Sequence, residues 1–319
     1  MKHPPYHLRP NKVVDRLFLV EAIRRLDRLA SLAEYTYYGL GGPYLEEFRL
    51  LYELCPEIKM VSIEEDEDTY RRQEFHLPCG TLRLEKSQFK SFLVRYESND
   101  EQSIFWLDYT GLNYGNFEDF MALLGKVSEN SMIKITLRAE PNDFLDKQNE
   151  KLGSGAERFR GQFGAVMPDS AADPPRSFFD FACLLQNMVQ IAAQKVLPST
   201  APLVFQPISS FYYADGVGMF TLTGVVCRRD AAAATRKAFQ DMDFSNLTWA
   251  KPKRIDLPIL STKERLHLQK LLPCRSGAGG ILYAALGYLV DDDKPRTKAK
   301  LKQYADFHRY YPYFMKAVP

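Results

Sequence analysis

The chain has 319 residues, 45% of them hydrophobic and 26% charged, and a formal net charge of only +2 at pH 7. These values are typical of a soluble globular protein of one or two domains, and the balanced charge excludes a strong overall field that would draw it to nucleic acid or membranes. No stretch approaches the roughly 18 uncharged apolar residues of a membrane span, and residues 1–5 lack the apolar core of a signal peptide, so we expect a cytoplasmic protein with no membrane partner.

The N-terminal part predicts a helix, then a strand, then a glycine turn. Apolar residues recur at helical spacing across 12–32, with Arg and Asp on the opposite face. A short aromatic run at 35–38 is typical of a strand, and it ends at a glycine-rich turn over 39–42. A helix is predicted next over 43–55, with Pro43 in its first turn, where proline is tolerated.

Strands and helices continue to alternate up to residue 137. Further strands are predicted at 60–63, 81–84, 103–107 and 132–137, and the intervening helices at 64–76, 89–93 and 116–127. Short connections between alternating elements favour a parallel sheet with helices on both faces.

The polar, glycine-bearing segment 139–176 interrupts this alternation, and we interpret it as an insertion, a lid or a mobile loop. A helix over 177–197 follows. Two long strands at 203–214 and 219–227 are joined by a tight connection, which is typical of a hairpin. The remaining helices are predicted at 232–241, 261–272, 280–289 and 297–317.

Together these elements predict an α/β fold. We expect a Rossmann-like, doubly wound sheet, mostly parallel, with a C-terminal antiparallel hairpin and a helical extension. The predicted parts are an N-terminal helical segment (1–33), a Rossmann-like domain (34–230) with 139–176 as its insertion or lid, and a helical C-terminal extension (231–319).

Glycines follow the first predicted strand and acidic residues follow the second. Gly39, Gly41 and Gly42 would let a ligand approach the backbone, and Glu64 or Glu65, about 20 residues on, would accept hydrogen bonds from ribose hydroxyls. Ligands of open parallel sheets bind beyond the carboxyl ends of the strands. Alternatively, the glycines form a plain loop, and the acidic run begins a helix whose dipole favours negative charge. That alternative is favoured for residues 66–68, and Glu64 is the preferred ribose ligand.

The stretch 34–140 resembles the class I S-adenosylmethionine-dependent methyltransferases. Residues 37–43 (YYGLGGP) take the place of the glycine-rich first motif of that superfamily, 61–65 (VSIEE) that of the acidic second motif, and 105–111 (FWLDYTG) that of the fourth-strand motif. The hairpin 203–227 resembles the antiparallel strands that complete this fold and that dinucleotide dehydrogenases lack.

The resemblance implies S-adenosylmethionine as the cofactor. It would be bound by residues in the first two motifs and after the third strand, where the adenine is contacted: Gly39, Gly41, Gly42, Glu64, Glu65, Ser87 and Gln88.

The same resemblance implies methyl transfer, in which positioning of the acceptor dominates. For an amino acceptor, Asp108 would hold the N–H group while Tyr109 or Trp106 stacks on the target, whereas a hydroxyl acceptor calls for a general base or a metal. Asp108 and Tyr109 are therefore the predicted catalytic residues. The alternative for Asp108 is a strand-end residue that caps the next turn.

Two departures from the superfamily pattern motivate a second hypothesis. Residues 35–38 (YTYY) lack the acidic residue that usually precedes the first glycine, and 108–111 (DYTG) lack the proline of the amino-methyltransferase motif. The leading hypothesis is a methyltransferase that acts on an unidentified substrate, with a nucleic-acid base amino group as the first guess. The alternative is a catalytically inactive, methyltransferase-like binding or scaffold subunit with a protein partner.

The C-terminal helix mixes basic and aromatic residues. Lysines and arginines over 294–302 precede the aromatic run 307–314, and such a mixture contacts nucleic acid when bases stack on the rings and cations follow the phosphates. The alternative is a helix that packs its aromatic residues on the core and leaves its lysines in solvent.

Cysteines and histidines give no metal signal. The five cysteines show no CxxC or CxxH pair and the five histidines show no ligand spacing. This argues against a zinc site and a disulfide framework. We expect free thiols in a reducing compartment and no metal site.

Overall fold

A computed structural model describes residues 9–99, 101–145, 155–168, 174–274 and 276–312. The strands are β1 (Tyr35–Gly39), β2 (Lys59–Glu64), β3 (Leu82–Lys86), β4 (Gln102–Asp108), β5 (Met132–Arg138), β6 (Leu203–Ala214), β7 (Gly218–Arg228) and β8 (Lys253–Ile255). The helices are α1 (Pro10–Leu26), α2 (Glu46–Leu54), α3 (Glu67–Phe75), α4 (Phe89–Arg95), α5 (Tyr114–Leu124), α6 (Asn142–Leu145), α7 (Gly155–Phe163), α8 (Phe178–Val196), α9 (Ala232–Phe239), α10 (Thr262–Gln269), α11 (Ala278–Leu286) and α12 (Lys294–Phe307).

One sheet organises the fold. Its strand order is β3-β2-β1-β4-β5-β7-β6-β8. Strands β1 to β5 pair in parallel, and β7 pairs antiparallel with β5. The predicted α/β class is confirmed: the sheet is mostly parallel, of Rossmann-like type, and carries the β6–β7 hairpin between β5 and the short edge strand β8.

Both faces of the sheet are buried, as expected of a doubly wound fold. Successive side chains of a strand point to opposite faces, and in β4 Phe105 and Leu107 join one hydrophobic cluster while Ile104 and Trp106 join the other. Helices α5 and α8 cover the first face, and α2 with the second half of α1 covers the other. Strand β4, buried on both sides, is therefore a rigid support for the residues at its end.

Three predicted helix boundaries are corrected. The helix predicted over 12–32 runs from Pro10 to Leu26. The helix predicted from Pro43 begins at Glu46, because Leu45 adopts a left-handed φ of 52° that prolongs the glycine turn. The helix predicted over 297–317 spans Lys294–Phe307; a helix continuing into Pro312 would place the proline ring against the carbonyl four residues earlier. Residues 313–317 lie outside the described part of the chain.

Part of the segment 139–176 packs on the core. Phe159 and Phe163 of α7 are fully buried, and their rings contact those of Phe144 and Phe181. Helix α7 is thus anchored by aromatic packing, while 146–154 and 169–173 lie outside the described residues.

The chain forms two compact units. The larger comprises Leu19–Tyr212 and Val217–Lys253, and the smaller comprises the chain up to Phe18, Tyr213–Gly216 and the chain from Arg254 onward. The three-part division predicted from the sequence stays a prediction. No helix in the described ranges is long and apolar enough to cross a membrane.

The smaller unit is tied together by a buried asparagine. The Asn11 amide nitrogen donates to the Ala214 carbonyl at 3.1 Å and to the Asp215 carboxylate at 2.9 Å, and its oxygen accepts from the Leu257 amide at 2.9 Å. One side chain thereby joins three segments that are far apart in sequence.

Candidate cofactor site

The ends of three adjacent strands define the candidate site. Gly39, the last residue of β1, is in register with Ser62 of β2 and with Trp106 of β4. Each of these neighbouring strands continues for two more residues, β2 to Glu64 and β4 to Asp108. Two carboxylates therefore flank the glycine turn at the carboxyl edge of the sheet, where ligands of open α/β sheets bind.

Glu64 is a half-buried carboxylate held by the backbone. Its Oε1 accepts a hydrogen bond from the Asp66 amide at 2.8 Å, and its carbonyl accepts one from the Ser87 amide at 3.0 Å. Burial raises the pKa of Glu64, because it disfavours the charged form, and the backbone hydrogen bonds oppose that shift. A fixed carboxylate at the end of the second strand suits the hydroxyl pair of a ribose.

The other acidic residues of this run organise the start of α3. Glu65 is exposed. Asp66 caps the helix, accepting from the Thr69 amide at 2.8 Å, and this backbone hydrogen bond lowers the pKa of Asp66. Glu67 pairs with Lys86 and Arg71. The helix-start interpretation therefore describes residues 66–68.

The glycine turn is crowded by the protein's own side chains. A Cβ on Gly41 would lie 2.5 Å from Ser62 Oγ and 2.8 Å from Phe48 Cε2. A Cβ on Gly39 would lie 3.0 Å from the Tyr37 ring and 3.1 Å from Phe48. Gly41 thus requires glycine for internal packing, independently of any ligand, while Gly39 is tightly packed.

Gln73 of α3 is a residue that the motif analysis missed. It is 0% exposed, and its amide nitrogen donates to the carbonyls of Gly41 and, at 3.5 Å, Gly42. Ser62 donates to its amide oxygen at 3.1 Å. The only indication of Gln73 in the sequence is that α3 carries a polar residue on the face that an amphipathic helix would fill with an apolar one.

The residues predicted to contact adenine lie beside Glu64. The Ser87 amide bonds to the Glu64 carbonyl, and Arg95 donates to Ser87 Oγ at 3.2 Å. Gln88 is exposed and occupies the N-cap of α4 without a side-chain capping bond. The structure thus brings Ser87 to the edge that carries Glu64.

The two predicted catalytic residues are placed differently. Asp108 is half-buried at the end of β4. The Tyr109 amide donates to the Thr136 carbonyl at 3.1 Å, its ring packs on the core, and its hydroxyl donates to Asp119 at 3.0 Å. Burial raises the pKa of Tyr109, so the phenol is neutral at physiological pH.

Trp106 does not offer a stacking surface. It is 2% exposed, its ring lies in the hydrophobic cluster below the sheet, and its indole N–H donates to Thr136 Oγ1 at 2.9 Å. The interpretation of Trp106 as a substrate-stacking residue is therefore wrong. Alternation places it on the face opposite to Phe105 and Leu107, and that face is also covered by a hydrophobic cluster.

In the smaller unit, α12 engages most of its basic residues with acids. Arg296 pairs with Asp292 at 2.7 Å and Lys300 with Asp291 at 3.0 Å. Phe307 and Tyr311 are buried, whereas residues 313 and 314 lie outside the described chain. These contacts fit the interpretation in which the aromatic residues pack inward; nucleic-acid binding stays a prediction.

Among the described residues, no group of three or more His, Cys, Asp or Glu side chains is arranged to hold a metal ion. The candidate site is therefore built from a glycine turn, two strand-end carboxylates and a buried amide. Carboxylate acceptors at the edge of the sheet fit an adenosine-bearing ligand with a positive charge better than an anionic one.

A family model described as "Putative O-methyltransferase" matches residues 4–319. No curated protein matches the sequence. Among solved structures, the chain is similar to Trm1 from Pyrococcus horikoshii in complex with S-adenosyl-L-methionine, at 10% identity and a TM-score of 0.48, covering 93% of this chain and 80% of that one.

Two further solved structures are similar at comparable distance. A probable spermidine synthase from Corynebacterium glutamicum matches at 12% identity and a TM-score of 0.43, covering 77% of this chain and 81% of that one. The O-methyltransferase TomG from Streptomyces achromogenes matches at 15% identity and a TM-score of 0.36, covering 65% of this chain and 79% of that one.

Proposed function

The chain belongs to the family described as "Putative O-methyltransferase", and on this premise we propose that it transfers the methyl group of S-adenosylmethionine to an oxygen atom of its substrate. The family match extends over residues 4–319 and confirms the methyltransferase resemblance of residues 34–140.

One observation carries the cofactor assignment: Glu64 ends β2 beside the glycine turn as a fixed, half-buried carboxylate. In this position it accepts hydrogen bonds from the ribose hydroxyls. The hydrogen bond from the Ser87 amide to the Glu64 carbonyl supports our assignment of Ser87, just after β3, to adenine binding. Glu65, which is exposed, has a lesser part.

Asp108 is the residue we assign to the acceptor. When bound, S-adenosylmethionine supplies an electrophilic methyl group on a positively charged sulfur. A hydroxyl acceptor becomes a better nucleophile as it loses its proton, and the Asp108 carboxylate at the end of β4 takes that proton as a general base. Methyl transfer would form the bond between the acceptor oxygen and the carbon and would leave the electron pair of the broken carbon–sulfur bond on sulfur.

The class of acceptor molecule is a separate proposal. A nucleic-acid base is supported by the basic residues of α12, of which Lys294 and Lys298 lie over the Tyr283 ring at 5.2 and 5.9 Å. The family description favours oxygen over an amino group as the acceptor atom. Labelled methyl donor, offered with total RNA, DNA, protein and small-molecule fractions, separates these acceptors.

We further propose a cytoplasmic location. All five cysteines are free thiols, which suits a reducing compartment. Fractionation of cells that express the tagged full chain tests this, and recovery in an oxidising compartment would contradict it.

Isothermal titration with S-adenosylmethionine and S-adenosylhomocysteine tests the proposed function directly. We expect both to bind the wild type, and we expect Glu64→Gln to weaken both about tenfold or more, because a charge-assisted hydrogen bond is lost. Asp68→Asn is the matched control: it removes one exposed carboxylate from the same turn of chain and should leave binding unchanged.

Absence of binding at millimolar ligand to folded wild-type protein would overturn the proposal. That result would favour the alternative of a methyltransferase-like scaffold. Binding of S-adenosylmethionine without methyl transfer to any fraction would leave the cofactor assignment standing and remove the assignment of Asp108.

A further inference from the structure

The carbonyls of the glycine turn are bound by a side chain from the next helix. Gln73 lies on α3, which begins after the acidic end of β2, yet its amide reaches back to the carbonyls of Gly41 and Gly42. The connection joins the two motifs that define the candidate cofactor site.

The orientation of this amide follows from its partners. The carbonyls of Gly41 and Gly42 only accept hydrogen bonds, so the nitrogen of the Gln73 amide must face them. Its oxygen then faces Ser62, whose hydroxyl donates to it at 3.1 Å. Gln73 is 0% exposed and Ser62 is 0% exposed, so water does not substitute for either partner. Breaking this set leaves buried polar atoms unpaired.

The hydrogen bonds from Gln73 to the carbonyls of Gly41 and Gly42, called the clamp below, also determine which way the Gly42 N–H points. In a trans peptide the C=O of one residue and the N–H of the next point to opposite sides. Because the Gly41 carbonyl points to Gln73, the Gly42 N–H points away from the buried amide. Among the described residues, none accepts a hydrogen bond from the Gly42 amide. Glycine tolerates a wide range of backbone dihedral angles, so without the hydrogen bonds from Gln73 the Gly41–Gly42 peptide has more than one orientation open to it.

We propose that Gln73, supported by Ser62, is a positioning residue for cofactor binding: it fixes the Gly41–Gly42 peptide so that the Gly42 N–H is presented to the ligand. The inference rests on the proposed function. Gln73 touches no cofactor itself; it acts by removing the alternative orientation of the turn, so that the ligand does not have to select a minor population.

A second buried glutamine in the larger unit makes the same set of hydrogen bonds as Gln73 and provides a control. Gln186 of α8 is also buried, donates to the carbonyls of Trp249 and Ala250 at 3.1 and 3.0 Å, and accepts from Ser210 Oγ at 2.6 Å. It lies on the hairpin side of the sheet rather than at the glycine turn. Gln186→Met therefore removes an equivalent clamp elsewhere.

The experiment compares Gln73→Met with Gln186→Met. Each keeps side-chain length and removes the amide, so we expect similar drops in Tm. Only Gln73→Met should raise the Kd for S-adenosylmethionine and S-adenosylhomocysteine in isothermal titration, by about tenfold, the loss expected when one net hydrogen bond is removed. Gln73→Glu is a second variant of nearly the same shape, and its ionised carboxylate, which has no N–H to donate to the carbonyls of Gly41 and Gly42, should weaken binding in the same direction.

The outcomes separate the inference from its premise. Equal Kd for wild type and either folded Gln73 variant, with the wild type binding normally, overturns the role of Gln73 and leaves the proposed function intact. If Gln186→Met loses as much affinity as Gln73→Met, the loss reflects general destabilisation, and this result also overturns the role of Gln73. Failure of the wild type to bind overturns the proposed function and the inference together.

Discussion

The hydroxyl of Tyr109 donates a hydrogen bond to the carboxylate of Asp119 at 3.0 Å, which ties the residue after β4 to helix α5. Asp119 is 8% exposed. Burial raises its pKa, and the bond from Tyr109 opposes that rise by stabilising the ionised form.

Tyr109→Phe removes the donor and leaves the buried carboxylate short of a partner. We expect a loss of about 1–3 kcal/mol in the free energy of unfolding at pH 7. Since the bond favours ionised Asp119, the loss should shrink as pH falls and Asp119 becomes protonated. Urea titrations at pH 7 and pH 4.5 measure both. A loss that is equal at the two pH values would contradict this account of the pair.

The second prediction concerns the pH dependence of cofactor binding. Burial raises the pKa of Glu64, so this carboxylate takes up its proton at a higher pH than an ordinary glutamate. Ribose binding needs the ionised acceptor, and affinity for S-adenosylhomocysteine should therefore fall as pH is lowered towards and through that raised pKa. Titration calorimetry across pH 4.5–7.5 should show the fall in wild type and its absence in Glu64→Gln.

A third prediction tests helix packing in the smaller unit. A Cβ on Gly279 would collide with the Lys298 carbonyl oxygen, whereas nothing lies within 4 Å of one on Gly280. Gly279→Ala should lower stability by about 1–3 kcal/mol, because α11 and α12 must move apart. Gly280→Ala should be neutral or should stabilise by up to about 1 kcal/mol through reduced freedom of the unfolded chain. Thermal unfolding of the two variants tests this prediction, and an equal change in Tm for Gly279→Ala and Gly280→Ala would contradict it.

The fourth prediction has the same pH direction as the first, but concerns an exposed ion pair. Asp241 receives both terminal nitrogens of Arg28, at 2.7 and 2.9 Å, and one nitrogen of Arg25. These bonds, with that from Arg28 the strongest, lower the pKa of Asp241. The contribution of ionised Asp241 to the free energy of unfolding is fully present above the ordinary pKa of an aspartate. It is lost as the pH falls through the lowered pKa of Asp241. The Tm difference between wild type and Asp241→Asn should therefore be largest near neutral pH and should shrink in strong acid and in high salt.

The backbone pattern of the larger unit could be predicted because its signals are local. Five apolar runs alternating with amphipathic helices specified the parallel strands, and the glycine-bearing connection between the two long strands that follow α8 specified the hairpin. The positions of Gly39, Glu64 and Asp108 at strand ends followed from the same pattern, because the carboxyl ends of parallel strands meet at one edge.

The side-chain contacts of the site could not be predicted in the same way. The Gln73 amide meets Gly41 only once α3 is folded back on the turn, and a glutamine on a charged helix has no local mark of that contact. Trp106 was misassigned because the sequence does not show that both faces of β4 are covered by other parts of the chain. The short strand β8 carries too few residues for a periodic signal.

The position of β7 next to β5 also matters while the chain is being synthesised, because β7 is made long after β5. Strand β5 pairs with β7, so Met132 waits for Val225 to be synthesised before its partner exists. Throughout that interval the nascent chain displays a row of unsatisfied backbone groups along an apolar strand, which is a template for aggregation. Ribosome-bound chains that stop before the hairpin should therefore recruit chaperones, and those that extend beyond it should release them.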